Sequence, residues 1–175
     1  MTPASDDGAT LPGEPAPEAP PPDTHYVFTA GELRFAVPLA AVRSVHRVER
    51  WTPVPRAPRH LLGVTQTRNE LFALVDLSGL PGGAAPPAEP LYAVVVEASG
   101  LRAGLVSAEL GRTAADHGVL PWPVAAGRPE AALQGARGWM ALDDGPAVVL
   151  DPLLLLRGLA PRWRAETASG EAADA

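Results

Sequence analysis

The feature that most limits the fold of this chain is a succession of short apolar runs separated by turn residues. Two such runs, Tyr26–Thr29 and Leu33–Val37, flank an Ala-Gly-Glu turn and predict a β-hairpin. The stretch GVTQTRNELFALVDL, residues 63–77, predicts a second hairpin that bends at Arg68 and Asn69. Further turn signals follow at a spacing of about 8–12 residues, which is typical of a mainly β protein.

Helical signals are few by comparison. Pro38 suits the first turn of a short helix in PLAAVRSVHRV, and DPLLLLRGL, residues 151–159, predicts a second helix. Three prolines within residues 53–58 indicate that WTPVPRAPRH is an extended connection and not a central strand.

The two ends of the chain differ in composition from the part between them. The N-terminal segment is rich in Pro, Ala and acidic residues and has little to bury, so we predict a disordered tail. We predict the following organisation: a tail at 1–24, a single domain at 25–163 made of subdomain 1 (about 25–80), a linker (81–90) and subdomain 2 (about 91–160), and a second tail at 164–175.

The second half of the chain repeats features of the first half in the same order. A shift of 68 places Leu33 on Leu101, and a shift of 75 places Gly63 on Gly138. These matches indicate an internal duplication, although two β-rich segments of an Ala/Val/Leu-rich chain also look alike by chance. Two small barrels packed together would bury a strand such as Leu71–Val75 on both faces, which explains why it lacks polar alternation.

Composition excludes several classes of function. The chain has no cysteine and no lysine, which removes thiolate metal sites, cysteine nucleophiles and Schiff-base chemistry. Residues 25–160 hold 12 acidic residues and 12 arginines, so the net charge of −6 belongs to the tails. A neutral body argues against nucleic acid or an anionic membrane as partner. With no membrane-length apolar run and no signal-peptide layout, we expect a cytoplasmic protein with no direct membrane insertion.

The acidic residues of the body have structural interpretations. Asp143-Asp144-Gly145 has the composition of a hairpin turn. Asp76 and Asp151 each end an apolar strand at equivalent places in the two halves, which predicts caps that accept backbone N–H groups. The histidines lack metal-ligand spacing and no serine lies in a nucleophile motif, so we predict no catalytic residue, metal or cofactor. A carboxylate enzyme using Asp76 or Asp143 remains the rival hypothesis.

Arginines suggest where the protein contacts other molecules. A basic stretch has the spacing of a solvated edge or, alternatively, of a surface for an acidic protein partner: Arg43, Arg47, Arg50, Arg56 and Arg59. A nucleic-acid-binding barrel is a second rival, but Trp51 is the one aromatic residue nearby that could stack on bases. A two-residue loop at Arg68 and Asn69 would direct the Arg68 side chain outward, where we expect it to serve either solvation or contact with a partner.

Four stretches together resemble the CheW-like domain of bacterial chemotaxis coupling proteins. They are YVFTAGELRFAVPLAAV, TPVPRAPRHLLGVTQTRNELFALVDL, YAVVVEASGLRAGLV and GWMALDDGPAVVLDPLLLL. The residues that match the family's pattern in place and order are Phe28, Thr29, Gly31, Val42, Gly63, Val64, Arg68, Asp76 and Leu77.

This resemblance implies two small five-stranded β-barrels around a shared core, with short helices and no catalysis. It implies an adaptor that ties the cytoplasmic tips of chemoreceptors to the regulatory domain of a CheA-type histidine kinase, at membrane-associated receptor arrays. The groove between the barrels would meet the receptor, and the barrel ends would join the kinase's own CheW-like domain. The partner-binding residues that it implies are Val42 on the short helix, Gly63, Arg68 and Asn69.

The chain departs from the family's pattern near this groove. Gln66-Thr67 stands in place of Asn-Leu, Asn69 in place of glycine and Ala73 in place of proline. Ser44 replaces an acidic residue that is common after the short helix. These departures keep open a divergent scaffold that serves a pilus-motility array or another signalling array.

Overall fold

The protein is built from ten β-strands, one 3-10 turn and one α-helix within the part that the structure describes. The computed structural model describes residues 24–58, 60–67, 70–78, 91–115, 118–121 and 135–159. The strands are β1 Thr24–Ala30, β2 Leu33–Pro38, β3 Val42–Val48, β4 Leu61–Thr67, β5 Glu70–Val75, β6 Leu91–Ala98, β7 Leu101–Ser107, β8 Arg112–Ala115, β9 Ala136–Met140 and β10 Ala147–Leu150. The 3-10 turn is Leu39–Ala41, and the helix α1 covers residues 152–159.

The strands form two five-stranded sheets. Sheet A has the order β8-β1-β2-β10-β9, and sheet B has the order β3-β6-β7-β5-β4. Both predicted hairpins are present, as β1–β2 and as β4–β5, each with antiparallel pairing. The prediction of a mainly β fold with two five-stranded units is confirmed.

Each sheet takes strands from both halves of the chain. Hairpin β1–β2 joins β8, β9 and β10 of the second half, while hairpin β6–β7 joins β3, β4 and β5 of the first half. The sheets therefore do not coincide with the predicted subdomains 25–80 and 91–160, and β1 begins at Thr24, inside the predicted tail. Four pairings between the two halves create this exchange: β2 with β10 and β5 with β7 are parallel, and β1 with β8 and β3 with β6 are antiparallel. Local patterns do not reveal such pairings.

Strand registers repeat between the sheets. Leu74 pairs with Gly104 in sheet B, and Val149 pairs with Ala36 in sheet A. The two isolated bridges, Thr52 with Val64 and Leu120 with Trp139, correspond in the same way. The shifts of 68 and 75 carry each pairing onto its counterpart, so the strand pairing supports the internal duplication.

Apolar side chains fill the space between the sheets and the concave interior of each sheet. The shared core contains Phe28 and Phe35 of sheet A and Leu105 of sheet B, together with Leu155 of α1. A second cluster, which includes Phe72 and Leu74, packs inside sheet B, and a third, which includes Val27 and Met140, packs inside sheet A. Burial on both faces accounts for the apolar character of these strands.

Strand β5 fits that expectation except near its beginning. Phe72, Leu74 and Val75 are at most 4% exposed, but Leu71 is 68% exposed. The expectation that Leu71–Val75 is covered on both faces is therefore wrong for Leu71, because the shared core ends before the strand reaches its hairpin.

The first predicted helix is mostly a strand. Only Leu39–Ala41 is helical, and Val42 belongs to β3, which pairs with β6. The valines at 42, 45 and 48 have a spacing close to that of a helical face, but a β-bulge between Val42 and Ser44 shifts the alternation. Val45 then packs against the shared core and Val48 packs inside sheet B.

The predicted turn at Asp143 and Asp144 and the predicted C-terminal helix are both present. The Gly145 N–H donates to the Leu142 carbonyl oxygen at 3.1 Å, and Gly145 has φ +119°, which glycine adopts more readily than other residues. In the described ranges, α1 is too short to cross a membrane and no other helix is long and apolar enough to do so.

Candidate docking surface

The β4–β5 hairpin presents an apolar side chain to solvent. Gln66 pairs with Leu71 and Thr67 pairs with Glu70, so the hairpin connection consists of the two predicted partner-binding residues Arg68 and Asn69. These two lie outside the described residues. Because side chains alternate along a strand, Leu71 lies on the same face of sheet B as Val75, which belongs to the shared core. Leu71 is therefore an exposed extension of the surface between the sheets.

A groove of about 790 Å³ lies beside this hairpin. It is lined by Glu49, Arg50, Trp51, Thr52, Pro53, Val64, Thr65, Gln66 and Leu71. An exposed leucine and a half-buried tryptophan with polar residues around them are typical of protein docking surfaces. We call this feature the hairpin groove. The sequence patterns did not mark Leu71, because an exposed leucine in an apolar strand looks like any core residue.

Gly63 lies next to Thr52 and Trp51, two of the residues that line the hairpin groove. It is buried, and a Cβ atom there would lie 2.3 Å from the Thr52 carbonyl oxygen and 3.0 Å from Trp51 Cδ1. Its lack of a side chain allows the bridge in which Thr52 N–H donates to Val64 O at 2.8 Å and Val64 N–H donates to Thr52 O at 2.9 Å. The predicted partner-binding residue Gly63 thus supports Trp51 from within, and a direct contact with a partner stays a prediction.

Val42, the fourth predicted site residue, lies in β3 at the opposite end of the strand order from β4. It is half-buried and packs against the shared core. The strands β6 and β7 therefore lie between the strand that holds Val42 and the β4–β5 hairpin.

A row of ion pairs connects these two segments across sheet B. Arg43 Nε on β3 lies 3.4 Å from Glu97 Oε2 on β6, and Arg102 Nη2 on β7 donates to the same oxygen at 2.6 Å. Arg102 Nη1 lies 3.0 Å from Glu70 Oε1, on the residue that follows Asn69. The hydrogen bond from Arg102 lowers the pKa of Glu97, and the same bond raises the pKa of Arg102. The sequence signal for this row was the opposite charges of Glu97 and Arg102, which are cross-strand partners in the β6–β7 hairpin.

Sheet A carries a related arrangement. Arg34, the counterpart of Arg102, donates to the Asp144 carbonyl oxygen, and Arg112 Nη2 donates to Asp144 Oδ1 at 2.6 Å. A second groove of about 640 Å³ lies beside this turn, and Leu33 and Trp139 contribute to its lining. Each sheet thus has an arginine that contacts the neighbouring hairpin beside a shallow groove.

Asp76 and Asp151 act as caps, as predicted. Ser78 N–H donates to Asp76 Oδ1 at 2.8 Å, and Leu154 N–H donates to Asp151 Oδ1 at 3.0 Å. Arg137 Nε also donates to Asp151 Oδ2 at 2.9 Å. Burial raises the pKa of Asp151, but the Leu154 N–H and Arg137 outweigh burial and leave this pKa below its ordinary value.

Nothing in these contacts assembles the carboxylates into a reactive pair. The side chains of Asp76 and Asp151 hold backbone groups at the ends of β5 and β10, and Asp143 lies in an exposed turn. Within the ranges that the structure describes, no three His, Asp or Glu side chains are placed to hold a metal ion.

Two curled five-stranded sheets with a shared core define a small mainly β protein with shallow surface grooves. The CheW-like domain family matches residues 25–160, and the chain belongs to that family. Chemotaxis protein CheW of Rhizobium meliloti (strain 1021) is 30% identical over 119 residues, which are 66% of this chain and 76% of the relative. Protein FrzA of Myxococcus xanthus is 39% identical over 62 residues, which are 35% of this chain and only 39% of FrzA.

A solved structure has the same fold. The crystal structure of the scaffolding protein TtCheW from Thermoanaerobacter tengcongensis matches with a TM-score of 0.62 at 20% identity, over 74% of this chain and 89% of that chain. The fold implied by the resemblance is therefore confirmed.

Proposed function

We propose that the chain is a non-catalytic adaptor that couples the cytoplasmic tips of chemoreceptors to the regulatory domain of a CheA-type histidine kinase. Membership of the CheW-like family makes it a scaffold-type protein of chemotaxis signalling. The observation that carries the finer proposal is the hairpin groove, with Leu71 exposed beside the segment that holds Arg68. We expect the protein in the cytoplasm, recruited to membrane-associated receptor arrays.

The receptor tip is assigned to the hairpin side of sheet B. Leu71 and Trp51 offer apolar contact area there, and Arg68 adds a charge at the end of the hairpin. The ion-pair row from Arg43 to Glu70 supports this side mechanically, because it joins the edge strand with Val42 to the hairpin. The kinase regulatory domain is assigned to the barrel ends.

Binding of the full chain to a receptor cytoplasmic fragment and to a kinase regulatory domain tests the proposal. We expect micromolar affinity for both, as is usual for transient interfaces. Arg68→Glu and Leu71→Glu should weaken binding of the receptor fragment and leave binding of the kinase domain intact. Arg157→Glu and Leu154→Glu, on the exposed face of α1, are the matched controls and should change neither interaction. Unaltered receptor binding by Arg68→Glu would contradict the site, and no binding of either partner to the native chain would contradict the function.

The second candidate is a divergent scaffold of a pilus-motility array or another non-flagellar signalling array. Two residues at the end of β4 favour it, because Gln66 and Thr67 stand where the family's pattern has Asn and Leu. Gln66 is exposed and Thr67 is half-buried. Binding measured side by side against receptor and kinase fragments from flagellar and pilus-motility systems separates the two candidates. Preference for the pilus-motility fragments would select the second.

A further inference from the structure

The outer edge of sheet B carries unbalanced positive charge. β3 is the first strand in the sheet order, and Arg43 and Arg47 are exposed along it, followed by Arg50 and Arg56. Residues 42–58 contain these four arginines and one acidic residue, Glu49, a net charge of +3. In the described part of the chain no salt bridge engages Arg47, Arg50 or Arg56, while Arg43 shares Glu97 with Arg102. We call Arg43, Arg47 and Arg50 the arginine edge.

The acidic N-terminal segment joins the body beside the start of the arginine edge. His25 in β1 pairs with Pro38 at the end of β2, and Pro38 leads through the 3-10 turn directly to β3. Residues 1–23 contain five acidic residues and no arginine or lysine. A segment of opposite charge is thus attached within a few residues of Arg43.

The acidic residues of the N-terminal segment and the arginines of the arginine edge have similar spacings. Asp23, Glu18 and Glu14 are five and four residues apart, which at the polyproline rise of about 3.1 Å per residue gives about 16 and 12 Å. The members of the arginine edge are four and three residues apart, which at about 3.3 Å per residue gives about 13 and 10 Å. The remaining difference of a few ångströms lies within the reach of long arginine side chains.

We propose that residues 14–23 lie along the arginine edge in the direction opposite to β3, with Asp23 near Arg43, Glu18 near Arg47 and Glu14 near Arg50. Arginine pairs well with carboxylates in both charge and geometry. The many prolines of this segment cannot donate to a β-ladder, so the contact is made by side chains.

The hairpin groove provides a second, apolar contact for the same segment. Arg50 and Trp51 both line it, and Pro15 directly follows Glu14 in the sequence. Proline-rich segments dock on aromatic-lined grooves because their extended conformation costs little entropy to fix. Covalent attachment gives a short tail an effective concentration on the order of millimolar, so individually weak contacts are enough. The contact does not depend on the proposed adaptor function.

Paramagnetic relaxation in the full chain tests this contact. The chain has no cysteine, so Ala16→Cys gives a single spin-label position between Glu14 and Glu18. We expect loss of amide peak intensity from Arg47 to Trp51 at low salt and recovery in about 0.5 M salt, where screening acts within a few ångströms. A label at Ala173→Cys in the other tail is the positional control and should leave these peaks unchanged.

Charge variants decide the register. Replacing Glu14, Glu18 and Asp23 by Gln, Gln and Asn should abolish the intensity loss, whereas Asp6→Asn with Asp7→Asn should keep it. Glu14→Arg with Glu18→Arg should also abolish it, and the added changes Arg47→Glu and Arg50→Glu should restore it. Intensity loss that survives the triple neutralisation, that spreads evenly over both sheets, or that is insensitive to salt would overturn the proposal.

Discussion

Arg102 donates two hydrogen bonds to one carboxylate oxygen of Glu97, from Nε at 3.0 Å and from Nη2 at 2.6 Å. The remaining nitrogen, Nη1, lies 3.0 Å from Glu70 on the neighbouring hairpin. One guanidinium group therefore connects the β6–β7 hairpin to the first residue of β5. All three side chains are partly exposed, so we expect this contact to order the hairpin more than it stabilises the fold.

Replacing Arg102 should loosen the β4–β5 hairpin locally. We expect Arg102→Gln to accelerate amide hydrogen exchange at Glu70 and Leu71 while the melting temperature changes little, because local opening depends on few contacts there. Arg34→Gln is the matched control, since Arg34 contacts the Asp144 turn of sheet A instead. Equal exchange rates at Glu70 in the native chain and in Arg102→Gln would show that the guanidinium does not position the hairpin.

The cap at the end of β5 should matter for stability. Asp76 is 4% exposed and accepts the Ser78 N–H, so Asp76→Ala leaves that donor without its partner. We expect a loss of about 1–3 kcal/mol in the free energy of unfolding. Asp76→Asn keeps an acceptor oxygen in the same place and should lose less. Denaturant titration measures both, and equal losses for Ala and Asn would argue against the hydrogen bond as the cause.

The two buried glycines beneath the isolated bridges should respond alike. A Cβ at Gly63 would lie 2.3 Å from the Thr52 carbonyl oxygen, and a Cβ at Gly138 would lie 2.3 Å from the Leu120 carbonyl oxygen. Because backbone must shift in both cases, we expect Gly63→Ala and Gly138→Ala each to reduce the free energy of unfolding by about 1–3 kcal/mol. Thermal or denaturant unfolding of the two variants checks this. If only one of them is destabilised, the equivalence of the two halves does not extend to their packing.

Local patterns were sufficient for the elements that depend on neighbouring residues. The two hairpins, the Asp143-Asp144 turn and the caps at Asp76 and Asp151 each follow from a few adjacent residues. The duplication also survives in the sequence, because Gly63 and Gly138 are required by the same close approach of backbone.

Features that depend on distant residues were not predictable in this way. The valine spacing after Val42 resembles that of a helix, but the segment is an edge strand with a β-bulge. Only the pairing of this strand with β6 reveals the bulge. The exchange of hairpins between sheets rests on parallel pairings such as Leu74 with Gly104. The exposure of Leu71 depends on where the shared core ends, which no local pattern encodes.

Acid should weaken the cap at the start of α1. The pKa of Asp151 is lowered in the folded protein, since the Leu154 N–H and Arg137 outweigh the opposing effect of burial. A carboxylate whose folded pKa lies below its unfolded value stabilises the fold above the unfolded pKa, and this contribution is lost as pH falls through the folded pKa. Asp151→Asn should therefore be less stable than the native chain near neutral pH.

The difference in free energy of unfolding between the native chain and Asp151→Asn should shrink below about pH 4, where the carboxyl becomes protonated. Arg137→Gln removes the charged partner but keeps the Leu154 hydrogen bond, so its pH dependence should fall between those of the native chain and Asp151→Asn. Denaturant titrations from pH 7 to pH 3 measure all three curves. If the free energies of unfolding of the native chain and of Asp151→Asn change with pH in the same way over that range, the charge of the Asp151 carboxylate does not stabilise the fold. Asp151 would then act only as a hydrogen-bond acceptor for α1.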